Sequence, residues 1–364
     1  MSEPVPPPLS IALIGAGAIG RLHADRCLRH DQIRLSAIAD PSAAARAFAA
    51  GLGVPWYADY RQLLDGTDVD AAIVATPNAT HLPVGRACIE RRLPLLVEKP
   101  IAATLDDGRT LCEEAEAAGV PLLGAHHRRH NPIQRRAREL IAQGALGRPV
   151  CANVMATWLK PDAYFDLAWR REPGGGPVLI NLIHDIDQLR FMLGEVAEVQ
   201  AMASNTVRGF AVEDSAAAVL RFANGALGTL VVSDTTASPW NWDLCAGESM
   251  HYPSQDVDSM LLCGTEGSLT LPGLRLWRYA GYRGWHEELT LQRSVPHAGD
   301  PYAEQLRHFR AVAQGREAPL CSGRDALHTL AVALAVLESA RTRQPVVSAP
   351  FFHTSNHSFT EVTP

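Results

Sequence analysis

Residues 9–20 read Leu-Ser-Ile-Ala-Leu-Ile-Gly-Ala-Gly-Ala-Ile-Gly. An apolar run ends in glycines, and helical spacing begins at residue 18. The run predicts a buried strand over 9–14. Gly15 permits a tight turn. Gly17 lets a pyrophosphate approach the backbone, and Gly20 lets the following helix pack close on the strand, with Ala18 and Ile19 between them. The helix N-terminus offers unpaired N–H groups to phosphates. Alone, Gly-x-Gly-x-x-Gly is a weak signal, because glycine-rich turns are common. Asp40 adds weight. It closes a second predicted strand, 33–39, twenty residues beyond Gly20, where a carboxylate binds an adenosine ribose. A carboxylate there repels a 2′-phosphate, so the reading is NAD in preference to NADP. The plainer reading, Asp40-Pro41 as a helix N-cap, accounts for the acid but not for the strand and loop that accompany it.

The same alternation continues outward. Helices are predicted over 42–50, 79–91 and 104–118, and strands over 70–76, 95–97 and 121–123. Apolar strands alternating with amphipathic helices give a parallel, doubly wound sheet, the Rossmann arrangement. Strand C-termini in such sheets face the ligand crevice. Thr76, Pro77, Asn78 and His81 follow one strand and are candidates to line the cofactor or to cap the next helix. Glu98-Lys99-Pro100 closes the next strand, which puts Glu98 and Lys99 at the mouth of the crevice. A lysine partly desolvated beside a cationic nicotinamide has a lowered pKa and can relay a hydroxyl proton during hydride transfer. The plainer reading is an exposed Glu-Lys pair.

Beyond about residue 125 the pattern changes. Helices are predicted over 132–143, 178–193, 301–314 and 323–341. Strands are predicted over 148–158, 196–207, 214–222, 226–235, 256–263, 267–271 and 286–291. With no helices between most of these strands, they should pair mostly antiparallel. The expected organisation is a short Pro-rich tail (1–8), a dinucleotide-binding domain (9–125), an α+β substrate and oligomerisation domain with a large open sheet (126–345), and a C-terminal tail (346–364).

Composition narrows the function. The chain has 364 residues, 47% hydrophobic and 20% charged, with net charge −6. Such a balance argues against disorder and against nucleic acid as the main partner. No apolar run reaches membrane-spanning length. MSEPVPPPLS lacks the basic and apolar regions of a secretory signal. Seven cysteines (27, 88, 112, 151, 245, 263, 321), never as Cys-x-x-Cys, fit a reducing cytoplasm without disulfides or zinc.

The motifs Gly-Ala-Gly-Ala-Ile-Gly (15–20), Thr-Pro-Asn-x-x-His (76–81), Glu-Lys-Pro (98–100) and Gly-Gly-Gly-(x)7-His-x-x-Asp (174–187) occur in that order. This series resembles the Gfo/Idh/MocA family, by motif over about 9–200 and by layout beyond. The resemblance implies nicotinamide-dependent oxidation or reduction of sugars, cyclic polyols and related molecules. It further implies homodimers or homotetramers assembled through the open sheet, and no metal. The family's lysine maps onto Lys99 and its helix histidine onto His184. By position, His127 and Arg128 map to the substrate pocket. Trp158 and Lys160 match a substrate-lining segment, where an aromatic wall with a cation suits a sugar ring or an acidic substrate. The family often carries an Asp four residues before the histidine. Here that position is Ile180, and its neighbour Asn181 can hydrogen-bond a substrate but cannot ionise.

Periodicity places Leu179, Leu182, Ile183, Ile186 and Leu189 on the buried stripe of the 178–193 helix. Asn181, His184, Asp185 and Gln188 lie opposite, toward a pocket or toward water, and Asp187 falls between, partly buried and paired. Trp240 and Trp242 are rim candidates with no specific support. Three functions compete: an NAD(H)-dependent sugar or polyol dehydrogenase, a glycoside-modifying enzyme that oxidises transiently with tightly held NAD, and a non-catalytic NAD-binding sensor. Retention of Lys99 argues against the sensor.

Overall fold

The computed structural model describes residues 7–249 and 251–348. Most of the two expected tails, 1–6 and 349–364, lies outside the described residues.

The first sheet holds β1 (Leu9–Ile14), β2 (Ile33–Ala39), β3 (Trp56–Tyr57), β4 (Ala71–Val74), β5 (Leu95–Val97) and β6 (Leu122–Gly124). All are parallel, in the order β3-β2-β1-β4-β5-β6. Between them run α1 (Ala18–Leu28), α2 (Ala43–Leu52), α3 (Tyr60–Gly66), α4 (His81–Glu90) and α5 (Leu105–Ala118). Every residue of β1 and β4 is buried, because helices cover both faces. The helix ends follow local chemistry. The Ser42, Asp59 and Thr104 side chains cap the starts of α2, α3 and α5, and Gly53 and Gly119 close α2 and α5 in the left-handed conformation. The strand order reverses beside β1, which opens a crevice at the strand C-termini between β1 and β4.

The second sheet follows α6 (Pro132–Ala142). It holds β7 (Pro149–Thr157), β8 (Val196–Ser204), β9 (Ser215–Phe222), β10 (Leu227–Ser233), β11 (Met260–Gly264), β12 (Ser268–Leu271), β13 (Arg275–Tyr279), β14 (Leu289–Arg293) and β15 (Val346–Val347). The order is β14-β13-β12-β11-β7-β10-β9-β8-β15, antiparallel except for the central β7–β10 pair. One face packs on α7 (Ile183–Leu193) and on part of α10 (Gly323–Thr342). The other is open and partly apolar, with Met202, Val219, Leu227 and Leu261 exposed on it. The short α8 (Trp242–Cys245) lies between β10 and β11, and α9 (Pro301–Ala313) precedes α10.

The chain departs from the sequence reading in several places. β3 and α3 are additional, and β3 is too short to show alternation. β13 occupies a stretch read as loop. Val346–Val347, read as tail, forms the edge strand against β8. The final helices return to the first sheet: Leu306, Phe309 and Val312 of α9 enter its core on one face, and Leu327 and Leu330 of α10 on the other. Further along α10, Val332, Ala333 and Val336 belong to the core of the second sheet. The helix predicted over 178–193 begins as a wide π turn, Val178–Leu182, which resets the phase of the α-helix behind it. All of α7 is buried, so its polar residues face protein rather than water.

Candidate active site

The glycine loop is shaped by what surrounds it. Gly15 has φ +95°, and a Cβ there would lie 2.4 Å from the Ala75 carbonyl. A Cβ on Gly20 would lie 2.1 Å from the Gly15 carbonyl. Neither position tolerates a side chain. Gly17 is the opposite case, with no atom within 4 Å of its Cβ position. Space is therefore kept over the start of α1, where a phosphate would sit on free N–H groups. Asp40 holds the loop. Its Oδ2 accepts from Ala16 N at 2.9 Å, and its Oδ1 from Ser42 N and Oγ at 2.9 and 2.6 Å. Burial works against its charge, but these bonds hold the carboxyl below its ordinary pKa. The loop, the open space and an ionised Asp40 fit a dinucleotide.

A cleft of about 300 Å³ runs from this loop to α7, lined by Ile19, Thr76, Asn78, Glu98, Lys99, His127, His184 and Tyr302. It gathers residues from both sheets' connections. Lys99 Nζ donates to the Ile180 carbonyl at 3.0 Å, so the π turn supplies a backbone acceptor where the side chain supplies none. Burial pulls the Lys99 ammonium below the usual lysine range and Arg128 adds to this, while Glu98 and Asp243 oppose it. Glu98 is buried and accepts from His23 Nε2 at 2.8 Å. Burial favours its neutral form, but His23 and Lys99 keep it ionised.

His184 is 8% exposed, its ring centroid 5.3 Å from that of His127 and 6.4 Å from that of His126. Burial and then the charges of Lys99 and Arg128 hold its pKa well below the usual value. It is a neutral imidazole at neutral pH. Its buried Nδ1 and the Asn181 Oδ1 have no hydrogen-bond partner among the described residues. His127 stacks on Tyr302 at 4.2 Å, and its Nε2 meets Glu248 Oε1 at 2.9 Å. Glu248 also accepts from Asn131 and from Trp242 Nε1, and against burial its contacts with His127, Arg128 and Trp242 bring its pKa to about 2.

Other expected site residues lie elsewhere. His81 is fully buried between the Thr76 and Pro100 carbonyls, 2.9 and 3.1 Å from its ring nitrogens. It braces two strand ends and does not reach the cleft, a correction to its reading as a cofactor contact. Arg128 is buried behind the cleft, bonded to Asp243 at 3.0 Å with Asp185 at 3.7 Å. With one guanidinium between two acids, burial pushes the inner carboxyl, Asp185, up to about 7. Asp187 is fully buried and pairs with Arg129 through two bonds of 2.8 and 2.9 Å. Trp242 is core, not rim, whereas Trp240 is 44% exposed. Trp158 is half-buried beside Tyr252, ring centroids 5.4 Å apart. Lys160 is buried rather than solvated. The sequence reading did not name His23, Tyr302 or Glu248. His23 had a weak signal, being one turn past Gly20 on the helix that opens at the crevice; Tyr302 and Glu248 had none.

Comparison with known proteins gives the family. Residues 9–126 match the family description "Oxidoreductase family, NAD-binding Rossmann fold", and residues 134–270 match "GFO/IDH/MocA C-terminal domain". The chain belongs to the GFO/IDH/MocA family. Among curated relatives, a 1,5-anhydro-D-fructose reductase of Ensifer adhaerens is 31% identical over 91% of this chain and 96% of its own length. A myo-inositol 2-dehydrogenase of Thermotoga maritima is 28% identical over 93% and 98%. The solved WlbA dehydrogenase of Chromobacterium violaceum, in complex with NADH and UDP-GlcNAcA, superposes with TM-score 0.75 at 25% identity, covering 94% and 98%. This GFO/IDH/MocA protein is thus an NAD-binding oxidoreductase with an N-terminal Rossmann sheet and a C-terminal, mostly antiparallel one. No helix of the described residues is long and apolar enough to cross a membrane.

Proposed function

We propose that the enzyme oxidises a secondary alcohol, or reduces the corresponding ketone, of a sugar or cyclic polyol, with Lys99 as proton carrier and His184 as hydroxyl ligand. The observation that carries this reading is Lys99 itself. A buried amine with lowered pKa opens onto the same cleft as Ile19 and Thr76 of the nucleotide side. Bound NAD supplies the hydride acceptor and NADH the donor. Gly15, Gly17, Ala18, Ile19 and Gly20 cradle the pyrophosphate; Asp40 takes the ribose hydroxyls; Thr76, Pro77 and Asn78 border the nicotinamide end.

In the oxidation direction neutral Lys99 takes the hydroxyl proton, and in reduction its ammonium returns it to the alkoxide oxygen. One Lys99 N–H stays on the Ile180 carbonyl, which aims the amine. His184, neutral and desolvated, orients the hydroxyl by one hydrogen bond and does not carry the proton. His127, fixed by Glu248 and Tyr302, and Asn181 complete the polar wall, and Trp158 offers an apolar face to the C–H side of a ring. Glu98 acts through its neighbours: paired with His23, it keeps a negative charge beside Lys99.

The relatives' names, an anhydrofructose reductase and an inositol dehydrogenase, support this substrate class. We further assign the open face of the second sheet to homo-oligomer contacts, because its apolar side chains lack cover in one chain; Val219→Asp should then yield monomers by light scattering. The direct test of function is an NADH-absorbance screen of sugars, inositols and sugar acids with both cofactors. Steady NADH formation with a free polyol or sugar is the expected result. Binding of NADH without turnover of any of them would remove the dehydrogenase reading.

A further inference from the structure

All seven cysteines are free, and five of them are buried. Burial pushes Cys27, Cys88 and Cys112 up to about 12, so they hold almost no thiolate near neutral pH. Burial raises Cys245 and Cys321 as well. Cys151 and Cys263 differ from these. Cys151 is exposed and Cys263 half-buried, and they lie on neighbouring strands.

The strands are β7 and β11, antiparallel partners within the second sheet, and their register sets Cys263 directly opposite Cys151. Alternation puts both side chains on the open face. In β7, Ala152 and Val154 are buried in the core shared with α7, while Cys151 and Asn153 are exposed. In β11, Met260 and Leu262 enter the same core, while Leu261 is exposed and Cys263 half-buried. The row continues sideways through Leu227 beside Cys151 and Ser268 beside Cys263, so neither neighbour stands between the two thiols.

The spacing suits a covalent bond. Directly opposite residues of an antiparallel pair have Cα atoms about 4.5–5.5 Å apart, inside the roughly 4.4–6.8 Å that a disulfide spans. Their Cβ atoms lie about 4.5–5.5 Å apart, somewhat more than the roughly 3.8 Å of a relaxed disulfide. Closure therefore draws the strands slightly together, and a bond closed under strain is easily reduced again. Just past the pair the register shifts between Cys263 and Gly264, so the adjustment meets no continuous ladder on that side. Burial and then the Cys263 thiol raise the pKa of Cys151, as expected of two close thiols.

We propose that Cys151 and Cys263 form a dithiol modification site, which closes reversibly to a disulfide by exchange with a low-molecular-weight disulfide and staples β7 to β11. The Cys151 thiolate attacks one sulfur of the small disulfide, bonds to it and releases the other half as a thiolate. The Cys263 thiolate then attacks Cys151 Sγ, forms the protein disulfide and releases the second half. Two protein thiols are oxidised, one small disulfide is reduced to two thiols, and the protein's two protons pass to the released thiolates. The closed loop contains α7 and strands β8 to β10, so the bond restricts most of the second sheet when the chain unfolds. The site is separate from the cleft and does not depend on the hydride-transfer reading.

The reduced full-length enzyme is incubated with oxidised glutathione, alkylated, and mapped by mass spectrometry after proteolysis. The pair shares the open face assigned above to assembly, so the enzyme is used in the oligomer in which it is purified. The expected result is a linked Cys151–Cys263 peptide that dithiothreitol removes. Cys263→Ser has no second thiol to complete the exchange and should keep glutathione on Cys151. The oxidised enzyme should melt several degrees higher than the reduced one, and oxidant should give Cys151→Ser no such rise. Two thiols that survive the oxidant, or a lasting glutathione adduct on Cys151 of the unmodified enzyme, would overturn the dithiol. A linked peptide without a rise in Tm would overturn the staple.

Discussion

At the nucleotide end of the cleft, Gly15, Gly17, Gly20 and Asp40 come from one β-α-β unit, and most of what they present is backbone. At the substrate end, Lys99, His127, His184, Glu248 and Tyr302 come from five separate segments, and what they present is side chain. The first end is fixed by steric limits on a short loop: Gly15 and Gly20 have no room for a methyl group, while Gly17 has nothing but room. The second is fixed by side-chain hydrogen bonds that cross the fold, such as His127–Glu248, Arg128–Asp243 and His23–Glu98. Substitutions at the first end should act on cofactor affinity and stability, and those at the second on chemistry and substrate affinity.

The largest effect belongs to Lys99→Ala. It should lower kcat by about 10²–10⁴-fold, the usual weight of a positioned acid or base. NADH affinity, followed by fluorescence, should change little. Near-normal turnover would break the contrast and leave His184 as proton carrier. Next comes Asp40→Ala, which removes the charged acceptor of Ala16 N and the acceptor proposed for the ribose hydroxyls. NADH Kd should rise about 10–100-fold with kcat at saturation retained. Adding Ser42→Arg should turn preference toward NADPH; an unmodified enzyme that binds NADPH more tightly than NADH would refute the reading of Asp40.

The two glycines sharpen the comparison within one end. Gly15→Ala should lower Tm by several degrees, because the new Cβ meets the Ala75 carbonyl in a left-handed backbone. Gly17→Ala should leave Tm unchanged and weaken NADH binding about tenfold, through the phosphate alone. Equal losses of Tm would show that the space at Gly17 is not a phosphate site.

The smallest effects concern the histidine. His184→Gln keeps one hydrogen bond, so substrate KM should rise about 3–10-fold with most of kcat retained. Ile180→Asp would place a carboxylate beside Lys99. Its charge should raise the Lys99 pKa by about one unit, moving the rising limb of kcat/KM for oxidation to higher pH. His184, with its pKa held well below the usual value, should add no limb near neutrality. A loss of kcat in His184→Gln equal to that of Lys99→Ala would overturn this division of labour.

The same contrast explains what could be read from the sequence. The glycine loop, Asp40 and Glu98-Lys99 are strand-end features whose local spacing predicts their location. His81 carried the same strand-end signal, yet its fate is decided by the Pro100 carbonyl, which only the folded chain brings to it. On the 178–193 helix, 3.6-residue periodicity separated a buried stripe from a polar face. The π turn and a surround of protein made that face interior. Asp187, expected to be partly buried and paired, is fully buried, and its partner is Arg129. Tyr302 reaches the cleft, and Glu248 braces His127 there, from positions separated from Lys99 by more than a domain's length of chain. No spacing rule connects them. The parallel sheet was legible from its alternating blocks, but β3, β13 and β15 were short or irregular, and their pairing is set by neighbours in space.

One helix bears on how the enzyme should move and melt. Because α10 contributes to both hydrophobic cores along a single rod, and α9 packs on the first sheet after the second is complete, swinging the two halves apart would tear helices out of a packed core. Heating should give one calorimetric transition rather than two. NADH, though it touches chiefly the first half, should delay the unfolding of the second by the same number of degrees, because ligand binding stabilises whatever unfolds together with its site.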